Sequence, residues 1–299
     1  MQRDLAFPES RGTMAANRPP PMSHYIDAHV HVWTDDFQKY PLPAGVKREA
    51  MALPRFLPEE ALRVARPSGV DRMVLVQISF YRFDNRYMLD VIRRQPETFC
   101  GIAMVDWNAP APEAAMRELM RVHVRGFRIR AAGAAATWLD GEGLERMFRC
   151  GAKERLAICP LLAPEHLPAL GRMCAKFPDT PVIIDHLARI GAEGPARDED
   201  VAALCALARH KNVMVKVSAF NSLGARKPPH LDLAPLIQRV HEAFGARRLM
   251  WASDSPFQTM KESYEDSIGL VRDRLEFLTA EDKEWMLRRT AEEFFWRGA

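Results

Sequence analysis

The sequence predicts a single (β/α)8 barrel, a fold in which eight parallel strands alternate with eight helices. Eight short apolar runs recur between residues 24 and 256, and a segment of helical periodicity follows each run. No linker or change in composition interrupts this region, and 299 residues with 47% hydrophobic content suffice for one large core. Polar side chains also gather near the carboxyl ends of these runs. Together these observations favour a closed barrel over an open, doubly wound sheet.

The apolar runs are the predicted strands, because they are short and rich in branched and aromatic residues. They are residues 24–33, 72–79, 100–107, 124–130, 156–162, 181–188, 213–220 and 248–256. The intervening segments repeat apolar residues at helical spacing and are the predicted helices. They are residues 58–69, 84–95, 111–122, 144–156, 164–177, 198–210 and 231–244.

Two further segments follow the eighth run. Residues 263–278 complete the barrel, and residues 279–295 form a predicted C-terminal helix. Thr279 and Asp282 have the spacing of a capping box at the start of this helix. The longest gap, residues 34–57, follows the first strand on the face where such barrels keep their sites, and it predicts a lid.

Residues 1–23 lack both the apolar core of a signal peptide and the Arg-rich pattern of a transit peptide, so we expect a disordered tail. The barrel domain then covers residues 24–299. The five cysteines form no CxxC pair, which is typical of free thiols in a reducing compartment, and we expect a cytoplasmic protein. The net charge of +3 is dispersed along the chain, and no apolar run is long enough for a membrane helix. Neither nucleic acid nor a membrane is an expected partner.

Strand alternation directs a set of polar side chains into the predicted barrel. On the sixth run, His186 is in phase with Val182 and Ile184, and on the eighth run Asp254 is in phase with Ala252. A polar interior is costly unless its members bind one another, a metal ion or a ligand. The inward polar residues are Gln77, Ser79, Arg128, Arg130, His186, Lys216, Ser218 and Asp254.

The motif DAHVHVW, residues 27–33, opens the predicted site. His29 and His31 are one residue apart, so a strand directs both imidazoles to the same side. Together with His186 and Asp254 they offer three nitrogen donors and one carboxylate. This set suits one zinc or manganese ion, and it equally suits metal-free acid–base chemistry.

The segments DAHVHVW, VQISFYRFDN, GFRIR, VIIDHLAR, VKVSAF and LMWASDSPF occur in this order along the chain. In order and spacing they resemble the amidohydrolase-related TIM-barrel hydrolases. Within these, the chain is most similar to the group of 2-pyrone-4,6-dicarboxylate lactonase, sulfomuconolactone hydrolase and sugar lactonases. The resemblance extends from about residue 24 to the C-terminus.

This resemblance implies hydrolysis of a lactone, a cyclic ester. Asp254 would be the general base that activates water, while His29, His31 and His186 polarise the lactone carbonyl, with or without one divalent metal ion. The chain departs from the wider family on the fifth strand, where Cys159 stands in place of a common ligand histidine. A two-metal site is therefore not expected, although His166 lies just beyond that strand.

The resemblance also assigns a substrate carboxylate to Arg128. Arg130 and Lys216 add positive charge, and Ser79 lies at the same end of the barrel, so we expect a small anionic substrate. Structural roles remain open: the arginines could pair with Asp106 and Glu142, and Lys216 could form a salt bridge at the bottom of the barrel.

Asp27 and Asp185 are the remaining carboxylates near the predicted site. Asp27 is either a metal ligand or an orienting partner of a histidine, and we favour the second. Asp185 is out of phase with His186, which predicts a carboxylate that faces a helix or anchors a hydrogen bond.

Two alternative functions remain. A metal-dependent decarboxylase of an aromatic or unsaturated acid uses a similar set of residues, but it usually supplies the strand-five histidine. A barrel that only binds a carboxylated ligand has no use for a general base beside three histidines. The lactonase is the favoured hypothesis.

Overall fold

A computed structural model describes residues 24–297, and the predicted tail, 1–23, lies outside the described residues. Eight parallel strands follow one another around a single sheet in chain order, and helices surround them. This confirms the predicted (β/α)8 barrel. The strands are β1 (Tyr25–Val30), β2 (Val70–Val76), β3 (Phe99–Ala103), β4 (Val124–Arg130), β5 (Ala157–Leu161), β6 (Val182–Ile184), β7 (Val213–Ser218) and β8 (Leu249–Ala252).

The barrel closes between β1 and the segment that follows β8. The His31 amide donates to the Ser255 carbonyl at 2.8 Å, and the Asp254 amide donates to the His29 carbonyl at 3.0 Å. We call this junction the seam. It lies at the carboxyl ends of the strands, so three predicted site residues, His29, His31 and Asp254, occupy the junction itself.

The helices pack their apolar faces on the outside of the barrel. In α2, for example, Tyr87, Met88 and Ile92 are buried, while the last turn ends in exposed arginines. Within residues 24–297, no helix is long and apolar enough to cross a membrane. The helices around the barrel are α1 (Pro58–Ala65), α2 (Arg86–Arg94), α3 (Pro112–Met120), α4 (Glu142–Glu154), α5 (Leu167–Lys176), α6 (Asp198–Ala206), α7 (Ala234–Phe244) and α8 (Tyr264–Gly269).

The C-terminal helical segment, 280–297, closes the bottom of the barrel. It contains α9 (Ala280–Glu284) and α10 (Thr290–Glu292), each followed by a wider π-helical turn. The predicted capping box is present, since the Thr279 hydroxyl accepts from the Asp282 amide at 3.1 Å. The Phe295 side chain is fully buried in the interior cluster of the barrel. Ala291 and Phe295 share that cluster with Ile26, Ala28, Val74, Val76, Cys100, Ile102, Ala157, Cys159, Ile183, Met250 and Ala252.

Membership of this interior cluster corrects two predicted strand faces. On β6, Ile183 belongs to the interior, whereas Val182 and Ile184 pack in the outer core against the helices. Because His186 is in phase with Val182 and Ile184, regular alternation would direct it outward and not inward as predicted, so its route into the barrel must be different. On β1, Ile26 and Ala28 are interior although they alternate with the site histidines.

The insertion after β1 lies beside the mouth of the barrel. Its ends pair through Trp33 and Phe56, and the Tyr40 hydroxyl donates to Asp90 of α2 at 2.7 Å. Among the described residues of the insertion, the regular secondary structure is one short helical turn, Arg48–Ala50. Aromatic packing and the bond to α2 hold the segment at the side, where it contributes nothing to the lining of the mouth pocket. The expected lid is not formed by residues 34–57.

Candidate active site

Three histidines converge on one carboxylate at the mouth of the barrel. Asp254 Oδ1 lies 3.6 Å from His29 Nε2, 3.5 Å from His31 Nε2 and 3.8 Å from His186 Nε2. The two Nε2 atoms of His29 and His31 are 3.3 Å apart. The four side chains that the sequence singled out therefore meet at one point.

A local irregularity in β1 delivers the first histidine. The pairing of β1 with β2 shifts register between Asp27 and Val30. Ala28 packs in the interior cluster, and His29, the next residue, also faces inward and contacts Arg128. A bulge of this kind redirects a side chain that strict alternation would send outward. The regular alternation of a strand is therefore broken within β1, although both histidines still reach the site as predicted.

Left-handed backbone delivers His186 and Asp254. Residues 186–189 all have positive φ, between 51° and 57°, and Asp254 has φ of 68°. Non-glycine residues adopt this conformation at a cost of about 1 kcal/mol or more each, and such strain concentrates at functional sites. The turn carries His186 into the mouth, where its Nδ1 lies 2.8 Å from the Ser218 hydroxyl. His186 therefore lies at the mouth, as predicted, but the left-handed turn places it there and strand alternation does not.

A buried ion cluster supports the histidines from below. Asp185 Oδ2 accepts from Arg128 at 3.0 Å, and Lys216 Nζ lies 3.1 Å from Asp185 Oδ1. His29 Nδ1 is 3.2 Å from Lys216 Nζ and 3.3 Å from Asp185 Oδ1. Burial raises the pKa of Asp185, but Lys216 and Arg128 outweigh burial and hold it well below its usual value. Asp185 thus anchors the cluster and does not face a helix.

The cluster also sets the charge of His29. Burial, reinforced by the positive charge of Lys216, holds the pKa of His29 well below its usual range. Its imidazole is therefore uncharged at neutral pH and offers one donor and one acceptor nitrogen. Burial likewise lowers the pKa of His186.

Asp254 is placed to act as a base. Burial raises its pKa, but His186 and the contact with His31 outweigh burial and leave it below the usual value. The carboxylate is therefore ionised at neutral pH. Its side chain keeps 13% of its surface accessible, so it faces the pocket as well as the histidines.

Asp27 has a role that the sequence analysis did not consider. Its Oδ2 accepts from the Tyr264 hydroxyl at 2.6 Å, and its Oδ1 accepts from the Ser253 and His29 amides, both at 3.0 Å. Burial raises the pKa of this carboxyl. Asp27 holds the two sides of the seam together rather than coordinating a metal or orienting an imidazole.

A pocket of about 260 Å³ opens above the cluster. Arg128, Arg130 and Ser79 line it, as predicted, and Arg189 adds a third guanidinium. Its apolar lining is Ile78, Leu161, Ala219, Leu223 and Phe257. A larger groove of about 650 Å³ lies between α6 and α7, but it contains none of the histidines. The chemistry therefore assigns the site to the smaller pocket.

Several predicted residues have different surroundings from those expected. The Lys216 side chain is fully buried below His29 and does not line the pocket, because Asp185 supplies the counter-charge it needs there. His166 packs edge to face on Trp138 and is absent from the pocket lining. Arg128 pairs with Asp185 rather than with a carboxylate of the loops.

Sequence reasoning missed Arg189 and Phe257. Arg189 closes the motif DHLAR, and continuation of the strand would send it to the face opposite His186. The left-handed turn brings both residues to the pocket, and nothing in the periodicity indicates that turn. Phe257, in SDSPF, resembles an ordinary core residue, yet it lines the pocket and its ring centroid lies 5.6 Å from that of His31.

The spacing of the donors suits a single divalent cation. Zinc–nitrogen bonds of about 2.0–2.1 Å in a tetrahedron place neighbouring ligand atoms about 3.4 Å apart. The separations among His29, His31 and Asp254 are 3.3 to 3.6 Å. One contact opposes a cation: Arg128 Nη2 lies 2.9 Å from His29 Nε2, so its guanidinium must turn aside for a metal to bind. The donors fit one ion under that condition.

Comparison of the sequence with known proteins identifies its family. The family model described as amidohydrolase matches residues 26–297. The chain belongs to the amidohydrolase family. An L-fucono-1,5-lactonase of Burkholderia ambifaria is 30% identical over 251 residues, which cover 82% of this chain and 84% of that protein. A 2-pyrone-4,6-dicarboxylate hydrolase of Comamonas testosteroni is 26% identical, with 91% of this chain and 90% of that protein covered. Membership identifies this amidohydrolase as an enzyme and a hydrolase.

Solved structures of amidohydrolases share the fold. A Burkholderia multivorans amidohydrolase with bound zinc superimposes with a TM-score of 0.77 at 22% identity, covering 91% of this chain and 99% of that one. Aromatic-acid decarboxylases also share the barrel, with lower identity and lower TM-scores. These likenesses concern the fold, and the relatives named above carry the closer relationship.

Proposed function

We propose that this amidohydrolase opens a carboxylated lactone by attack of a water molecule that Asp254 activates. One observation carries the proposal: an ionised, partly accessible carboxylate faces three histidine nitrogens at 3.5 to 3.8 Å inside a small pocket. A base beside groups that can polarise a carbonyl is the arrangement that ester hydrolysis requires. The lactonase and pyrone hydrolase relatives support the same reaction class.

The reaction follows from the positions of these groups. Asp254 removes a proton from water while the water oxygen attacks the lactone carbonyl carbon. The positive charge of Arg128, whose Nη2 lies 2.9 Å from His29 Nε2 and which lines the pocket, stabilises the negative charge that develops on the carbonyl oxygen. The tetrahedral intermediate collapses, the ring C–O bond breaks, and the proton held by Asp254 passes to the departing oxygen. The product is an open-chain hydroxy acid, whose new carboxyl group releases one proton at neutral pH.

A zinc or manganese ion bound by His29, His31 and Asp254, with His186 adjacent, would supply Lewis-acid polarisation of the carbonyl oxygen. The zinc-containing Burkholderia multivorans structure supports this possibility, whereas the contact between Arg128 and His29 favours the metal-free form. Asp254 remains the proton acceptor in both forms.

The charge of the pocket supports an anionic substrate. Burial lowers the pKa of Arg130, and the positive charges of Arg128 and Arg189 lower it further. Asp185 is already paired with Lys216 and Arg128, and Asp254 faces the histidines. Arg130 is therefore available to bind a substrate carboxylate, and Arg189 can exchange its long, exposed pairing with Glu193, at 3.7 Å, for a second one, with Ser79 as a hydrogen-bond partner. Lys216 acts from below, through His29 and Asp185.

The size and the lining of the pocket restrict the part of the substrate that carries no carboxylate. About 260 Å³ accommodates one small ring with its substituents. Apart from Asp254, the pocket lining contains no carboxylate or amide side chain to bind a row of hydroxyl groups. A flat or sparsely hydroxylated lactone with one or two carboxylates fits better than a neutral sugar lactone.

The test is a panel of lactones assayed by proton release with a pH indicator. Carboxylated monocyclic lactones should be hydrolysed with the highest kcat/KM, and the Asp254→Asn variant should lose this activity. Metal analysis of the same dialysed sample distinguishes the two forms of the site. Turnover of neutral sugar lactones alone would contradict the substrate assignment, and carbon dioxide release without proton release would replace the hydrolase by the decarboxylase.

The decarboxylase receives less support from the structure. Cys159 occupies the interior position on β5, and burial raises the pKa of its thiol to about 12. A neutral thiol in an apolar layer is a poor metal ligand. The chain therefore lacks a strand-five ligand for that chemistry.

A further inference from the structure

A second buried histidine–carboxylate pair lies outside the catalytic cluster. His230 Nε2 lies 2.7 Å from Glu262 Oε2, and their side chains are 0% and 2% exposed. His230 belongs to the loop that follows β7, and Glu262 belongs to the loop that follows β8. Breaking a buried pair of this kind is strongly destabilising locally, because the remaining polar group has no water to bind. The pair therefore joins two loops that both border the substrate pocket.

Gln258 extends this connection toward the pocket. Its side chain is fully buried, and its Nε2 donates to Glu262 Oε1 at 3.2 Å and to the Ser263 carbonyl at 2.6 Å. Each oxygen of Glu262 thus receives a donor, one from each loop. The amides of residues 260–262 are bonded within the same turn. The loop after β8 is consequently held as one compact turn against the loop after β7.

Phe257 lies at the pocket side of that turn. Its carbonyl accepts from Asn221 Nδ2 at 3.3 Å, which adds a second link between the loops. Its ring stacks on Trp33, with centroids 6.2 Å apart, and packs against His31. The ring is therefore part of the apolar wall that a lactone ring would contact.

Asp254 is held by different bonds. Its backbone amide donates to His29 across the seam, and the His31 amide donates to Ser255. These two bonds belong to the barrel, whereas the loop reaches Asp254 through a longer bond, from the Gln258 amide to the Asp254 carbonyl at 3.4 Å. Loosening the later part of the loop should displace Phe257 while the two barrel bonds keep the base in place.

We infer that His230 and Glu262 form a clamp that positions Phe257 as the apolar wall against which the substrate ring binds. The inference rests on the proposed function, since the wall acts on a substrate in this pocket. The clamp residues are positioning residues, and their effect is on substrate binding rather than on the proton transfer.

The experiment compares three variants of the full-length protein. His230→Ala removes the donor, and His230→Gln retains an N–H at a similar distance along the side chain. His241→Ala is the matched control, because His241 Nε2 lies 3.4 Å from Asp282 Oδ1 on the outside of the barrel. Phe257→Leu serves as a second probe that removes the wall itself and leaves the clamp intact.

Hydrogen exchange followed by mass spectrometry measures the clamp without any substrate. His230→Ala should accelerate exchange in residues 257–262 alone, His230→Gln should restore protection, and His241→Ala should leave this segment unchanged. Unchanged protection of residues 257–262 in a folded His230→Ala protein would overturn the clamp. Uniformly faster exchange across the barrel would also overturn it, because that pattern indicates general destabilisation.

Kinetics on the best lactone measure the consequence. His230→Ala and Phe257→Leu should each raise KM about tenfold, equivalent to about 1.4 kcal/mol of lost contact, while kcat changes less than threefold. A fall in kcat with unchanged KM would contradict the assignment to Phe257. If the wild-type protein hydrolyses no lactone, the proposed function fails, and the exchange pattern alone then decides whether the clamp exists.

Discussion

The two ends of the barrel are built from the same eight strands, yet they obey different rules. At the bottom, alternate residues of several strands form an apolar layer that Phe295 completes, although the predicted faces of β1 and β6 had to be corrected. At the mouth, many side chains are charged or polar, β1 shifts register, and six residues that border the pocket have left-handed backbone, more than precede the strands at the bottom. The comparison indicates that the bottom provides stability, whereas the mouth accepts strain in order to place functional groups.

The strongest test of this division is the substitution Asp254→Asn at the mouth. The amide cannot accept the proton from water, so kcat should fall about a thousandfold, within the usual range for a lost general base. The thermal midpoint should stay close to that of the wild type. Asp106→Asn is the control, because Asp106 is exposed and bonds only its own loop. Retention of most activity by Asp254→Asn would remove the base from the mechanism.

Phe295→Ala makes the opposite change at the bottom. Removing a fully buried phenyl ring should lower the free energy of unfolding by about 3–5 kcal/mol. The kcat of the folded fraction should be unchanged, since the ring is remote from the mouth. Urea denaturation and activity at low temperature measure the two quantities. A loss of kcat in fully folded protein would show that the two ends are not independent.

Arg130→Met sharpens the assignment of charge at the mouth. Arg130 lines the pocket. Arg128 is a less suitable target because it is also bound to Asp185, and replacing Arg128 would disturb the buried ion cluster as well. KM should rise about tenfold for carboxylated lactones and stay constant for neutral ones. Paired assays on a carboxylated lactone and its methyl ester give the comparison. An equal rise for both substrates would exclude an ionic contact.

The smallest expected effect concerns Glu292, a charged residue near the bottom of the barrel. Burial raises the pKa of Glu292, but the bond from Arg72 at 2.9 Å and the charges of Arg288 and Arg297 outweigh burial and leave it lowered. The stability that the ionised Glu292 carboxylate contributes is fully present above the ordinary pKa of glutamate. It is lost as the pH falls through the lowered pKa.

Glu292→Gln should therefore cost about 1 kcal/mol of unfolding free energy at pH 7 and progressively less in acid. Denaturation curves between pH 3 and pH 7 measure this difference. A cost that is constant with pH would mean that the ionised carboxylate contributes nothing.

The same contrast explains what could be predicted from the sequence. The positions of the eight strands, the C-terminal helix and its cap depend on local patterns, and the structure confirms them. His29, His31 and Asp254 could be proposed as site residues because their motifs are short and lie at strand ends. The turn of residues 186–189, and with it Arg189, could not be predicted, since left-handed backbone in non-glycine residues leaves no periodic signal. The position of Lys216 below the site depends on Asp185, a contact that exists only in three dimensions.

The seam determines when, during synthesis of the chain, the candidate site is complete. Asp27 and Tyr264, which are 237 residues apart, share one hydrogen bond, and the histidines and the base lie on opposite sides of the same junction. A nascent chain that has completed seven strands already possesses both histidines of the first strand, yet it has no base beside them. In the proposed mechanism, catalytic competence therefore requires the closed ring, and we expect fragments that end before β8 to be inactive.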